Sequence, residues 1–490
     1  MRKSGILFHI TSLPNPYGIG SIGKCAYDFV DFLQAAGQSY WQILPLSPTG
    51  YGDSPYQAFS TFAGNHYLID LDKLIAEGLL KQEEADAVCW SREAGRVDYG
   101  CLYANRGKLL RLAFERYVPD EEFAHFVNKN ADWLEDYALF MALKEKLHGE
   151  NWQNWSVSLM LRIPQSIASC REEMAEQIKF HYFLQFVFFR QWGELRSYAN
   201  RKGIRIIGDV PIYVPLDSAD VWANPKLFQL DGSGRPCMVA GCPPDSFTAD
   251  GQLWGNPLYD WDKMKQTGYQ WWIRRLRAAS RMFDVVRLDH FRGFESYWAV
   301  PAGDKTAVGG SWKLGPGMDF IRAVQAALPD VELIAEDLGY VTPEVRQLQL
   351  QSGYPGMKVL QFAFDSREEG NYLPYTYPEN SVCYSGTHDN LTMVQWFQEA
   401  STEDLEAAKA YLGLNTEEGY VRGMIRGCMA SASKLCVIQM QDYMELGGEA
   451  RMNFPGTLSS NNWTWRAAPG SLTEALAARI LEITRRYGRI

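Results

Sequence analysis

The chain has 490 residues, a formal net charge of -10 at pH 7, and 46% apolar and 22% charged residues. This is ordinary globular composition, and the excess of acidic groups without a basic run argues against a nucleic acid partner. Apolar runs stay shorter than a membrane span, and the 9 cysteines are scattered without a C-x-x-C pair. We therefore expect a cytoplasmic protein with reduced thiols and no membrane partner.

Short apolar runs alternate with helical patterns along the chain. The predicted strands are ILFHI (6–10), SYWQILPL (39–46), IRIIGDVPIYV (204–214), VVRLDHF (285–291), ELIAEDLG (332–339), MKVLQFAF (357–364), SVCYSGTHDN (381–390) and LCVIQMQDYM (435–444). Helices are predicted over about 26–36, 174–198, 270–280, 320–327, after 343, and over 473–487. The strands are nearly continuous in apolar residues, which is typical of a buried parallel sheet.

About eight βα units predict an α/β fold, a closed (β/α)8 TIM barrel that forms one domain over 1–490. A plain barrel needs roughly 250 residues, so the remainder is predicted to be inserted after the second and third strands. The first insertion, about 47–200, has a mainly helical pattern. The second, about 215–265, is rich in Gly, Pro and Asp and is predicted to be loops. A doubly wound open sheet is the alternative fold.

Carboxylates stand where several of the predicted strands end. They are Asp209, Asp289, Glu336 with its neighbour Asp337, and Asp389. In a barrel this edge forms the active site. Each acid alone could be a helix cap or a salt-bridge partner. As a set, converging carboxylates repel each other and perturb their pKa values, which indicates a function.

Glycoside chemistry fits this set best, because it needs a carboxylate nucleophile or base and a second carboxyl that can hold a proton. Arg287 lies two residues before Asp289, so both side chains point to the same face of a strand. The guanidinium is expected to keep Asp289 ionised, as a nucleophile requires. A metal-dependent hydrolase is an alternative. The 7 histidines lack H-x-H and H-E-x-x-H spacing, whereas an Asp-rich Mg²⁺ site stays open.

Several stretches then resemble a known family. Four of them, IGDVPIYV, RLDHF, AEDLG and GTHDN, resemble the short signature regions of the α-amylase clan. Further stretches are similar to one branch of that clan, the amylomaltases or disproportionating enzymes, which are 4-α-glucanotransferases: HITSLPNPYGIG (9–20), WQILPLSPTGYGDSPYQAFSTFAGN (41–65), AGCPPDSFTADGQLWGNPLYDW (240–261), RGFESYW (292–298) and RMNFPGTLSSNNWTWR (451–466). The resemblance runs along the whole chain and is weakest over about 66–200.

The resemblance implies three catalytic carboxylates. Asp289 would be the nucleophile that forms a glucosyl-enzyme, and Glu336 would be the general acid and then the general base. Asp389 would hold sugar hydroxyls and steady the transition state. In this role Glu336 needs a raised pKa, so that it is protonated near neutral pH.

It also implies a set of substrate-binding residues. Arg287, His290 and His388 would orient the acids and the sugar, and Asp209 would support the arginine. Tyr56 would stack on the reacting glucose. Trp254 and the loop around Asp245 would cover the glucan, and the loop with Asn453, Pro455 and Gly456 would border the acceptor. Each aromatic or histidine could instead be a core residue that only packs.

The implied activity is retaining transfer between α-1,4-glucans, such as maltooligosaccharides, amylose and glycogen, with no metal and no cofactor. A retaining α-glucosidase or amylase-like hydrolase on the same barrel is the nearest alternative, because the three acids do not decide whether water or sugar is the acceptor. A non-catalytic glucan-binding protein is the alternative from another class.

Overall fold

The computed structural model describes residues 2–91, 93–244, 248–339, 341–366 and 372–490, with only the backbone of Tyr51. Its strands, in chain order, are β1 Lys3–Leu7, β2 Tyr40–Gln42, β3 Arg205–Pro211, β4 Met238–Cys242, β5 Gln252–Pro257, β6 Val285–Asp289, β7 Ser296–Pro301, β8 Ser311–Leu314, β9 Leu333–Ala335, β10 Gly356–Val359, β11 Ser381–Tyr384 and β12 Leu435–Gln439. Eight of them form a closed barrel in the order β1-β12-β11-β10-β9-β6-β3-β2, and all neighbours pair in parallel. The predicted TIM barrel is confirmed, and the open sheet is wrong.

The described residues also form α-helices. They are α1 Lys24–Ala35, α2 Leu71–Ala76, α3 Gln82–Asp86, α4 Tyr99–Arg116, α5 Glu121–Lys129, α6 Ala131–Lys146, α7 Val157–Met160, α8 Pro164–Glu173, α9 Ala175–Arg201, α10 Ala219–Ala223, α11 Trp261–Gln266, α12 Gln270–Met282, α13 Gly317–Ala327, α14 Pro343–Ser352, α15 Met393–Glu399, α16 Thr402–Leu412, α17 Tyr420–Ala430, α18 Met440–Tyr443 and α19 Glu474–Arg486. Within the described ranges, none combines the length and apolar character needed to cross a membrane.

Seven of the eight predicted strands are shorter in the structure than the runs that indicated them, and β1 begins three residues before its run. The run 39–46 contains only β2, the run 357–364 continues after β10 as a 3-10 helix, and the run 435–444 continues after β12 as α18. Residues beyond the strand ends, such as Leu46, Phe364 and Met440, are still buried. An apolar run reports burial, and burial alone does not separate a strand from the helix that follows it.

A second, antiparallel sheet with the order β5-β4-β7-β8 was not predicted. Its strands β4 and β5 lie inside the segment 215–265 that the sequence indicated as loops, and β7 and β8 follow β6. Gly241 in β4 explains part of the error: a Cβ at this position would lie 2.6 Å from the carbonyl oxygen of Gln252, so this close strand pairing needs a glycine. The glycine here marks close strand pairing, although glycine in a sequence is typical of loops.

The register of the barrel sets the first contacts of the site. Strand β3 pairs with β6 so that Asp209 faces Arg287 and Pro211 faces Asp289. Cross-strand partners project to the same side of a sheet. The carboxylate of Asp209 and the guanidinium of Arg287 therefore meet inside the barrel, one step below the strand end that carries Asp289.

Candidate active site

Arg287 joins two of the predicted carboxylates. Its Nη1 atom lies 2.8 and 2.7 Å from the two carboxylate oxygens of Asp209 and 2.8 Å from Oδ1 of Asp289. The side chains of Arg287 and Asp209 are only 5% and 1% exposed, whereas that of Asp289 is 27% exposed. The ion pair therefore lies at the base of the site, and Asp289 reaches from it toward the barrel opening.

Glu336 directly follows β9 and is held by backbone donors. The amide of Leu338 donates to Oε1 and the amide of His290 donates to Oε2, both at 2.7 Å. His290 has the left-handed backbone angle φ 53°, which is uncommon for a residue with a side chain. This turn directs the amide of the residue after Asp289 toward the carboxyl of Glu336. The two acids are thereby coupled through adjacent backbone.

Asp389 follows β11 and contacts a different segment. The side-chain amide of Asn453 donates to Asp389 Oδ1 at 2.6 Å, and His388 Nε2 lies 3.4 Å from Oδ2. Arg451 donates from Nη2 to the backbone carbonyl of Asp389 and from Nε to that of Asn453, both at 2.8 Å. Arg451 thus links the loop after β11 to the segment that begins at residue 451.

Aromatic rings line the space around the carboxylates. Tyr56 stacks on His388 with ring centroids 5.2 Å apart, and its hydroxyl donates to Asp209 at 2.7 Å. Trp463 contacts both Tyr56 and His388, at 5.8 and 6.0 Å between centroids. On another side, the ring of Trp254 in β5 meets His290 edge-on at 4.8 Å. Apolar ring faces of this kind suit the apolar faces of pyranose sugars.

The sequence predicted that Arg287 would keep Asp289 ionised, and this is wrong, because burial opposes the guanidinium and prevails. Burial raises the pKa of Asp289 to about 8, although Arg287 acts in the opposite direction. The charges of Asp209, Glu336 and Asp389 also raise it. The physical reason is charge balance. Nη1 of Arg287 also donates to Asp209, so one guanidinium compensates only part of the negative charge of the two carboxylates.

The predicted rise in the pKa of Glu336 is confirmed. Burial raises it, and this outweighs Arg287 and the amides of Leu338 and His290, which favour the ionised form. Asp289 and Glu336 influence each other, so their protons belong to the pair. Burial lowers the pKa of His388 against the pull of Asp389, and burial also lowers that of His290 to about 3. Both histidines are therefore neutral near pH 7.

The structure brings together most of the predicted site residues: Asp209, Arg287, Asp289, His290, Glu336, His388, Asp389, Tyr56, Trp254 and Asn453. Pro455 and Gly456 are exposed further along the Asn453 loop. Asp245 lies outside the described residues. Among the described residues, no group of three or more His, Cys, Asp or Glu is arranged to hold a metal ion. The roles of these residues remain predictions.

Some functional contacts were missed from the sequence. Arg451 and Trp463 both lie in the segment 451–466 that carries the resemblance, but no local pattern distinguishes them. Trp463 has φ 65° and is 6% exposed. The only available signal was the aromatic and asparagine-rich composition of that segment. Asp337, which also ends a predicted strand, instead accepts the amide of Met357 at 2.6 Å and supports the barrel.

Comparison with known proteins identifies the family. The sequence model described as 4-alpha-glucanotransferase matches residues 8–473. The 4-alpha-glucanotransferase of Clostridium butyricum is 47% identical over 485 residues, which cover 98% of this chain and 99% of the relative. That of Thermus thermophilus is 48% identical over 98% of this chain and 97% of the relative.

A solved structure agrees with this result over the whole chain. The amylomaltase of Streptococcus agalactiae in complex with acarbose is 40% identical, superposes with a TM-score of 0.97 and is covered completely in both directions. The site geometry, the family model and full-length relatives all agree. The chain belongs to the 4-alpha-glucanotransferase family.

Proposed function

We propose that the protein transfers α-1,4-glucan segments to the 4-hydroxyl of an acceptor sugar by a retaining double displacement. The observation that carries this proposal is the carboxylate pair: Asp289 is fixed by Arg287, and Glu336 is bound by the amide of the residue that follows Asp289. Retaining glycoside chemistry needs two neighbouring carboxyl groups, one ionised and one protonated. Donors and acceptors would be maltooligosaccharides, amylose and glycogen.

In the first step, a carboxylate oxygen of Asp289 attacks the anomeric carbon of the donor. The bond from this carbon to the glycosidic oxygen breaks, and the proton of Glu336 moves to that oxygen. The fragment with the reducing end leaves, and a covalent glucosyl-enzyme with inverted configuration remains on Asp289. The reacting form holds the single proton of the pair on Glu336, with Asp289 ionised beside Arg287.

In the second step, the acceptor 4-hydroxyl attacks the same carbon from the opposite face. Glu336, now ionised, takes the hydroxyl proton, and the bond to the Asp289 oxygen breaks. The second inversion restores the α configuration, and Glu336 ends protonated for the next cycle. Each bond that forms is matched by one that breaks, and the reaction consumes no water.

The remaining residues would position the sugar. Asp389, oriented by Asn453, would accept hydrogen bonds from ring hydroxyls and stabilise positive charge at the anomeric carbon. Tyr56, with Trp463 and His388 behind it, would provide the stacking face for the reacting glucose. Trp254 would cover the glucan next to His290. Arg287 would steady Asp289, and Asp209 would hold the guanidinium in place.

Incubation with maltotriose tests the function directly. Transfer predicts longer maltooligosaccharides and free glucose, with almost no gain in reducing ends. Glucose and maltose with rising reducing ends would show a hydrolase, in which water reaches the intermediate. Failure to convert any glucan, with retained binding, would favour a glucan-binding protein. Asp289→Asn is the control, because transfer must disappear in this variant.

We further propose that the whole chain acts as one catalytic unit in the cytoplasm. The segment between β2 and β3, with helices α2–α9, and the sheet β5-β4-β7-β8 both attach to the barrel that carries the acids. Eight cysteines of the described residues have free thiols, which fits a reducing compartment: Cys25, Cys89, Cys101, Cys170, Cys237, Cys383, Cys428 and Cys436. Fractionation of the native host, followed by transfer assays on each fraction, tests the location.

A further inference from the structure

Asp442 is a buried carboxylate that the proposed mechanism does not use. It lies in α18, directly after strand β12, and it is fully buried. Its Oδ2 atom accepts a hydrogen bond from the hydroxyl of Ser385 at 2.6 Å, and its Oδ1 atom accepts one from the backbone amide of Met393 at 2.7 Å. Both oxygens of Asp442 therefore bind the same neighbouring segment, residues 385–393.

The segment 385–393 carries the third acid of the site. It connects β11 to α15, and Ser385 and Met393 lie four residues before and four residues after Asp389. Ser385 and Met393 are fully buried, whereas the side chain of Asp389 is 44% exposed. Asp442 thus holds the two ends of the segment inside the protein, while the residue in its middle is open to the site.

Hydrogen bonds within the segment link its ends to its middle. The side-chain oxygen of Asn390 accepts from the amide and the hydroxyl of Thr387, at 2.8 and 2.9 Å. The amide of Asp389 donates to the hydroxyl of Thr387 at 3.3 Å. These bonds close a turn around Asp389. The direction of its carboxylate therefore depends on where the two ends of the segment are held.

The charge of Asp442 argues against a role in stability alone. Burial raises its pKa to about 6, and the hydrogen bonds from Ser385 and Met393 oppose this only in part. A carboxyl group with a raised pKa makes the fold less stable as pH rises through that value. At neutral pH the buried charge thus offsets part of what the two hydrogen bonds contribute. This favours a role in the site.

We propose that Asp442 is a positioning residue that holds both ends of the segment 385–393, so that the carboxylate of Asp389 is directed at the reacting sugar. Asp442 acts through Asp389 and touches no substrate itself. It supports the segment from the interior, whereas Asn453 contacts the carboxylate directly. The inference rests on the proposed function of Asp389 in glucan transfer.

Asp70 provides a matched control for the loss of such a carboxylate. It is 1% exposed, and it accepts the hydroxyl of Ser21 at 2.6 Å and the amide of Lys73 at 3.0 Å. Asp442→Ala and Asp70→Ala each remove one hydrogen bond from a hydroxyl and one from an amide. We expect both variants to lose Tm. At a temperature below both transitions, kcat for maltotriose disproportionation should fall about tenfold to a hundredfold only in Asp442→Ala.

Two milder variants test the same two hydrogen bonds. In Asp442→Asn the side-chain oxygen can accept the amide of Met393, and the side-chain amide can donate to the hydroxyl oxygen of Ser385. This variant should recover most of kcat. Ser385→Ala removes the hold on one end only and should give an intermediate kcat. A kcat in Asp442→Asn as low as in Asp442→Ala would overturn the proposal.

A double-mutant cycle with Asp389 shows through which group Asp442 acts. The rate is measured as fluoride release from α-maltosyl fluoride, because this activated donor keeps turnover measurable when Asp389 is replaced. Asp442→Ala should lower the rate in the parent protein and have almost no further effect in Asp389→Ala. An equal fold loss in both backgrounds would overturn the proposal. A loss in Asp70→Ala as large as in Asp442→Ala would do the same.

Hydrogen exchange gives a test that does not depend on activity. The backbone amides of 385–393 should exchange faster in Asp442→Ala than in the wild-type protein, and Asp442→Asn should restore their protection. Unchanged exchange of this segment in Asp442→Ala would overturn the proposal. Faster exchange in a protein that converts no glucan would support the hold on the segment and count against the proposed function alone.

Discussion

The side-chain amide of Asn453 donates a hydrogen bond of 2.6 Å to Oδ1 of Asp389, across 64 positions of the chain. This contact joins the loop after β11 to the loop that the resemblance assigned to the acceptor side. Asn453 is therefore placed to affect both the orientation of a carboxylate and the binding of the second sugar. Arg451 also links these two loops, because it donates to the backbone carbonyls of Asp389 and Asn453.

Asn453→Ala should lower kcat/KM for maltotriose by roughly tenfold to a hundredfold, because a hydrogen bond to a charged group contributes about 1.5–3 kcal/mol. Steady-state kinetics measure the change. Asn461→Ala is the matched control, since Asn461 is exposed in the same loop and binds Arg96. An equal loss in both variants would mean that the loop, not the bond to Asp389, determines activity.

Glu336 and Asp337 are adjacent acids with different expected roles. Glu336→Gln should lower kcat by about 10²–10⁴, because the leaving oxygen loses its proton donor. Asp337→Asn should keep kcat within a fewfold with little loss of Tm, because an asparagine oxygen can still accept the amide of Met357 that Asp337 accepts. Product analysis and thermal unfolding of both variants check this. A larger loss of kcat in Asp337→Asn would reverse the assignment.

The pH dependence follows from the shared proton of Asp289 and Glu336. The active form holds one proton on the pair. At high pH the last proton of the pair leaves and Glu336 can no longer donate; because burial raises the pKa of both carboxyls, this limb lies above the ordinary range of carboxyl groups. At low pH a second proton binds, above the value of 4.5 that is usual for Glu, and Asp289 can no longer attack. The plot of kcat/KM against pH should be bell-shaped between these limits.

A donor sugar whose leaving group needs no protonation distinguishes the acid limb of the pH profile from the alkaline limb. With α-maltosyl fluoride, the fluoride leaves without a proton from Glu336. The alkaline limb should therefore disappear, whereas the acid limb should remain because Asp289 must still be ionised. Persistence of the alkaline limb with this donor would contradict the assignment of Glu336 as the acid.

Asp289→Asn should stabilise the protein while it abolishes transfer. Between pH 3.8 and about 8 the folded state holds a proton that the unfolded chain has released, so this residue makes the fold less stable as pH rises. The gain in Tm from the substitution should thus be larger at pH 8 than at pH 5. Thermal unfolding at both pH values tests it.

Asp231 provides a control with the opposite sign. It is exposed, and hydrogen bonds from the amides of Arg235 and Ser233 and the hydroxyl of Ser233 lower its pKa. Asp231→Asn should therefore lose a little stability at pH 8 and less at low pH. A gain in Tm for both variants would show that the effect reflects net charge and not the buried site.

Arg287→Met should lower the free energy of unfolding by about 3–5 kcal/mol, since it leaves Asp209 and Asp289 without their buried cation. Arg205→Met is the comparison on the same barrel. Its partner Glu332 is 59% exposed, and such surface pairs contribute up to about 1 kcal/mol. Urea unfolding measures both variants. Equal losses would mean that burial of Arg287 does not strengthen its contribution.

The position of the acids at one edge of the barrel could be predicted because the pattern is local. Asp289 and Arg287 are two residues apart on one strand, and strand ends meet at one edge of a barrel. The net pKa of Asp289 could not be predicted, because it depends on burial and on Asp209 sharing the same arginine. The contacts of Trp463 with Tyr56 and His388 depend on a left-handed turn and long-range packing. Neither a left-handed turn nor a long-range contact produces a periodic pattern in the sequence.

The antiparallel sheet has a consequence for access to Asp289. Strands β4 and β5 precede β6, and β7 and β8 follow it, so the antiparallel sheet is connected to both ends of the strand that carries Asp289. Moving the antiparallel sheet would require breaking the pairing of β4 with β7, which runs from Met238↔Pro301 to Gly241↔Trp298. We therefore expect this sheet to keep its position, so that a glucan chain enters the site along its own length and passes Trp254.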